Sequence, residues 1–151
     1  KEQEGYIEPS FATISAYGAN AAMCHYSATK ESDTVLEDHG FYLVDSGGQY
    51  YEGTTDITRT IALGELTEEE KEHFTLVLIS MLRLKEVKFL YGCRGLSLDY
   101  VAREPFWSRG LNFDHGTGHG VGYLLNVHER PNGIRFRMVP ERHDNGVLEA
   151  G

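Results

Sequence analysis

At 151 residues, with 14 Lys plus Arg against 23 Asp plus Glu, the chain carries a formal charge of −9. An acidic chain with no Lys/Arg cluster argues against nucleic acid and anionic membrane as partners, and no apolar run reaches the length that spans a bilayer. A hydrophobic content of 40% with 11% aromatics is that of one folded domain, and folding at this length buries roughly 68–70% of the unfolded surface.

Residues 1–28 read as a loop followed by short extended pieces, punctuated by Pro9, Ser10, Gly18 and Asn20. Residues 29–40 are polar and read as an exposed connection. The run 41–44 predicts a strand that ends at the turn Asp45-Ser46-Gly47-Gly48, and a second extended run covers 54–63. Together they predict a hairpin with a long loop. Thr67-Glu68-Glu69-Glu70 is a capping box. Phe74, Val77, Leu78, Met81, Leu82, Leu84 and Val87 follow it at helical spacing, predicting a helix over 68–89 that stops at Gly92 and Gly95. A shorter helix is expected over 96–107, interrupted by Pro105, and residues 129–151 read as turn-rich. The expected fold is α+β, with an antiparallel sheet carrying Asp45, Asp56 and His119 and the 68–89 helix on its outer face. Cys24 and Cys93 stand outside any Cys-x-x-Cys pattern and read as thiols of a reducing cytosol, so a cytoplasmic location is expected. The chain begins at Lys1 with no leader pattern, as a piece of something longer would.

Three constellations carry chemistry. Asp45 ends the first strand, while Thr54, Asp56, Thr58 and Thr60 share one face of the second. A hairpin can therefore bring two carboxylates together, and such a pair calls for a cation or a shared proton. A solvated Asp45 with Asp56 paired to Arg59 is the simpler alternative from spacing alone. The second is His115-Gly116-Thr117-Gly118-His119-Gly120-Val121-Gly122, whose four glycines disfavour a helix. In an extended segment His115, Thr117 and His119 share one face and should point into one cavity, while the glycine face admits another backbone or a ligand. Two His at i and i+4 suit metal binding or proton transfer, and a Gly-rich loop with incidental His is the alternative. The third is Asn126-Val127-His128-Glu129. His25 carries little signal alone, and His39, His73 and His143 sit in polar, solvated stretches. No Gly-x-Ser-x-Gly elbow is present.

Asp45-Ser46-Gly47-Gly48-Gln49-Tyr50, Gly53-Thr54-Thr55-Asp56-Ile57-Thr58-Arg59-Thr60, the 115–122 segment and Asn126-Val127-His128-Glu129 together resemble the aminopeptidase P branch of the pita-bread metallopeptidases, which includes prolidase and creatinase relatives. Phe11-Ala12-Thr13-Ile14-Ser15 and Cys24-His25-Tyr26 fit the same pattern. The resemblance implies that Asp45 binds one metal of a pair, Asp56 bridges both and His119 ligates the other. It implies that His25, His115 and His128 line the pocket and handle substrate and protons. The implied reaction removes an N-terminal residue that precedes proline, using a hydroxide activated by two metals. The implied metal is manganese, with cobalt, zinc or iron as alternatives; an oxygen-rich donor set with one imidazole suits Mn²⁺ or Co²⁺.

The same resemblance expects two glutamate ligands, the first in a Thr-x-Glu-Pro-Gly motif, and Glu149 does not match that position. Residues 1–151 are therefore expected to be an incomplete pita-bread catalytic domain, without the family's N-terminal domains and glutamate-bearing strands. By themselves they should bind at most one metal weakly, show no Xaa-Pro cleavage, and self-associate through an uncovered strand edge. A non-catalytic peptide- or partner-binding module on the same fold is the competing reading. A prolidase-type dipeptidase or a creatinase-type amidine hydrolase is a third.

Overall fold

The computed structural model describes residues 3–150. The chain divides into two compact units, Lys1–Lys71 with Val121–Val127, and Glu72–Gly120 with His128–Gly151.

The first unit holds strands β1 (Tyr6–Pro9), β2 (Ile14–Tyr17), β3 (Phe41–Ser46), β4 (Gly48–Tyr50), β5 (Gly53–Thr54) and β6 (Ile57–Ala62). They form two antiparallel three-stranded sheets, β2-β3-β6 and β1-β4-β5. Ile14, Ala16 and Tyr26 make a small core, with Ala21 and Leu43 packed against it. The expected hairpin is the β3–β6 pair. β3 runs on through Asp45 and Ser46, which pair with Thr58 and Ile57, so Asp45 is a strand residue rather than a turn residue. The long loop of that hairpin folds into its own β4–β5 ladder. Gly47 makes the crossing possible, because a Cβ there would sit 2.0 Å from the Thr55 carbonyl oxygen.

Helix α1 spans Glu68–Glu86 and starts at the expected capping box. The Glu70 amide donates to Thr67 Oγ1 at 3.2 Å, and Glu70 Oε2 accepts from the Thr67 amide at 2.8 Å. The bonds from Thr67 hold the Glu70 carboxyl below its ordinary value of 4.5. A carboxyl lowered on folding contributes stability that is full above its unfolded value and is lost as pH falls through the folded one. Separately, Thr67→Ala, which removes the cap hydroxyl and keeps the amide hydrogen bond to Glu70, should cost about 1 kcal/mol at neutral pH through the lost cap, roughly 2–4 °C in Tm. Thermal unfolding repeated near pH 3 should show the gap to the wild-type chain narrowed.

The apolar stripe expected on α1 is not its buried face. Leu76 and Ser80 are buried, whereas Phe74, Val77, Leu78, Met81 and Leu82 are all more than 40% exposed. Helix α2 spans Gly95–Trp107, and the Ser80 hydroxyl donates to its Ala102 carbonyl at 2.6 Å. The line Leu76–Ser80, one turn apart, is thus the side turned to α2.

β7 (Gly118–Val121) and β8 (His128–Ile134) pair in a two-stranded sheet. The sequence reading of 129–151 as turns fails over β8. Proline removes a ladder donor, but each strand of a two-stranded sheet is an edge, and Pro131 is tolerated there. Asp45 and His119 lie in different sheets, so no single sheet carries all three expected ligands. Among the described residues no helix is long and apolar enough to cross a membrane.

Candidate metal centre

In the first unit the β-ladder sets the two carboxylates. Asp45 stands between Ile14 of β2 and Thr58 of β6, and residues directly opposite in an antiparallel sheet share a face. Asp56 precedes β6 by one residue, two positions from Thr58, so strand alternation carries it to the side of Asp45. Its turn is fixed by short bonds: Ser10 Oγ donates to the Thr55 carbonyl at 2.8 Å, the Thr55 amide to the Gly48 carbonyl at 2.9 Å, and the Gly48 amide to Thr55 Oγ1 at 3.0 Å. Arg59 sits opposite Val44 on the other face, and its guanidinium donates to the Thr58 carbonyl at 2.7 Å. Asp45 Oδ1 is buried with no hydrogen-bond partner. A carboxylate oxygen is costly to leave so, and a cation is the group that would satisfy it. His25 is exposed and follows the 3-10 turn Gly18–Ala22 in the same unit.

In the second unit the glycine face behaves as the sequence suggests. A Cβ on Gly120 would lie 2.3 Å from the Glu129 carbonyl oxygen, so the bare face of β7 is what lets β8 come close. That approach places the imidazoles of His119 and His128 together, with ring centroids 3.6 Å apart and ring nitrogens within 4.8 Å. His119 Nδ1 lies 2.9 Å from the Gly120 carbonyl. A carbonyl only accepts, so Nδ1 carries the proton and Nε2 presents the lone pair that a metal needs. His115 has the same arrangement, its Nδ1 donating to the Gly116 carbonyl at 2.8 Å.

The expectation that His115 and His119 point into one cavity is not met. Residues 115 and 117 are bends, and the strand starts only at Gly118, so alternation does not extend back to His115. His115 and Thr117 line a cavity of about 520 Å³ with Val77, Met81, Leu84 and Phe106, and His119 is not among its lining residues. His39, expected to be solvated, is exposed but anchored, its Nδ1 donating to the Glu65 carbonyl at 3.0 Å. Asp99 and Arg103 of α2 were not legible as site residues. Both are buried, joined by a 2.6 Å ion pair, and bonded to the segment that carries His115 and Thr117.

The first unit offers two aspartates beside a strand turn and the second a close pair of imidazoles on a glycine-bared hairpin, and each kind of donor suits hard or borderline divalent metals. Metallopeptidase family M24 matches the chain over residues 1–151, and the chain belongs to that family. It is 48% identical to Xaa-Pro aminopeptidase 2 of Sus scrofa over 139 residues, 92% of this chain and 21% of that protein. The solved X-prolyl aminopeptidase of Caenorhabditis elegans, a cytosolic enzyme with a di-nuclear active site, matches with a TM-score of 0.88 and 42% identity, over 99% of this chain and 24% of that one. The prolidase of Pyrococcus furiosus matches with a TM-score of 0.80 and 34% identity, over 97% and 40%. The fold is thus the α+β pita-bread fold of these enzymes. The chain spans about a fifth of the length of the curated relatives it matches.

Proposed function

We propose that this chain is the part of a cytoplasmic Xaa-Pro aminopeptidase that carries Asp45, Asp56 and His119 as metal ligands. Asp45 and Asp56 would hold divalent ions through their carboxylates, and His119 would do so through Nε2. His25, His115 and His128 bind substrate and move protons. The observation that carries this reading is the full-length family match combined with 48% identity to an Xaa-Pro aminopeptidase. The buried, unpartnered Asp45 Oδ1 supports the aspartate's part in it. When bound, divalent ions supply Lewis acidity that activates water at neutral pH and polarises the scissile carbonyl. The carboxylate-rich donor set favours Mn²⁺. His115, with Nδ1 donating to the backbone, offers Nε2 to a substrate or water proton.

The substrate is a peptide with proline in second position. A prolidase-type dipeptidase is the second reading, favoured by the match to the Pyrococcus enzyme, and it ranks lower because identity and TM-score both fall relative to the aminopeptidase. Product analysis separates them. With Mn²⁺, the longer protein should release the first residue of an Xaa-Pro-Pro peptide faster than it splits an Xaa-Pro dipeptide. Cleavage of the dipeptide alone would reverse the ranking. Self-association belongs to the same proposal, because β6 is an edge strand whose Ile57 and Ile61 are about half exposed. Sedimentation of the 151-residue chain as a concentration-independent monomer would remove that part.

A further inference from the structure

The buried Asp99–Arg103 pair has no counterpart among the residues so far given a role. Their relative exposures are 0% and 1%. Ion pairs this deep are weak sources of stability, because desolvation consumes most of their attraction, and apolar pairs of similar volume often serve as well. What sets this pair apart is where its remaining valences go.

Arg103 Nε donates to Asp99 Oδ2 at 2.6 Å. Arg103 Nη1 donates to Asn112 Oδ1 at 3.2 Å and to the Phe113 carbonyl at 2.5 Å, and Nη2 donates to the His115 carbonyl at 2.8 Å. One rigid guanidinium plane thus fixes three acceptors along residues 112–115. The same guanidinium lies 3.9 Å from the centre of the Phe113 ring, whose centroid is 5.0 Å from that of His115. His115 is therefore reached twice, through its carbonyl and through Phe113. The second carboxylate oxygen, Asp99 Oδ1, accepts the Thr117 hydroxyl at 2.6 Å. The Thr117 amide donates to the Ile134 carbonyl of β8 at 2.9 Å, one residue before β7 begins.

We propose that Asp99 and Arg103 are positioning residues that act through Thr117: together they fix the backbone from Asn112 to Thr117, aim His115, and set the start of the strand that carries His119. The inference deepens the Xaa-Pro aminopeptidase reading and rests on it for its catalytic consequence; the clamp itself does not depend on that reading. Four glycines between residues 110 and 120, with bends at 115 and 117, give this segment little intrinsic order, since glycine has more backbone freedom to lose than any other residue. A buried, fully bonded pair on a regular helix supplies the order from outside.

Thr117→Val and Thr117→Ser in the longer protein test the clamp, because Val keeps the shape and drops the hydroxyl while Ser does the reverse. In metal-free protein, Val should lower the exchange protection of the Thr117 amide by about tenfold and leave α1 unchanged. With Mn²⁺, kcat on an Xaa-Pro-Pro peptide should fall about tenfold, within the 10–100-fold range of outer supports, with KM within about twofold. Ser should restore both. Equal behaviour of Val and Ser, or a Val variant that loses protection but keeps kcat, would overturn the proposal. If Val does not fold, Thr117→Ala carries the same two readouts. A wild-type protein without Xaa-Pro cleavage would refute the aminopeptidase reading, and the exchange arm would still decide the clamp.

Discussion

In the longer protein, His119→Ala and Asp56→Ala are each expected to abolish Xaa-Pro-Pro cleavage, while His128→Ala is expected to leave measurable turnover and to act mainly on KM. The first two remove a proposed metal ligand. Their loss should exceed the roughly 10²–10⁴-fold that general acid–base assistance supplies, because the activated water and the polarised carbonyl disappear together. His119 stands on the exposed side of β7, so its truncation creates no buried cavity and Tm should hold. His128 lies against His119, ring centroids 3.6 Å apart, and is proposed to position substrate, which predicts a binding defect. Steady-state kinetics with Mn²⁺ on the three variants checks the ordering. Turnover by His119→Ala within tenfold of wild type would remove His119 from the ligand set.

The second large effect concerns stability. Arg103→Met leaves Asp99 as an uncompensated charge in a site it shares with no bulk water, since Asp99 is 0% exposed. Breaking a buried pair in this way costs about 3–5 kcal/mol, or roughly 6–20 °C in Tm at this chain length. Asp99→Leu combined with Arg103→Met removes both charges and should recover part of that loss, because an apolar pair avoids the desolvation penalty. Recovery will be incomplete, as the Phe113 and His115 carbonyls and the Thr117 hydroxyl lose their partners. Thermal unfolding of the two variants reads this directly. A single variant within about 1 kcal/mol of wild type would show that the pair is hydrated in solution.

Features written in local chemistry were legible in the sequence. The capping box at Thr67 and Glu70 is local, and its bonds form as the spacing requires. The Gly-rich segment announced a face open to close approach, and Gly120 lies against β8. The strands around Asp45 and Asp56 followed from β-branched composition and a strong turn signal, although the inserted β4–β5 ladder did not. Features that depend on distant partners were hidden. Asp99 and Arg103 stand at i and i+4, a spacing that by itself fits an exposed helix ion pair as well as a buried one, and the packing around Leu98 and Ala102 makes them buried. The signal was present as a charge pair set among apolar positions on one helix face. His128 begins a strand through Pro131, Asn132 and Gly133, residues that spell a turn unless a facing strand overrides them. The bend at His115 broke the alternation expected from spacing, because the Arg103 clamp sets that stretch of backbone.

Crystals of the longer protein grown with Mn²⁺, measured at a wavelength where manganese scatters anomalously, test the proposed centre most directly. Two peaks are expected, one held by Asp45 and Asp56 and the other by Asp56 and His119. Peaks on other residues, or fully occupied metal without His119 in its coordination, would contradict the assignment.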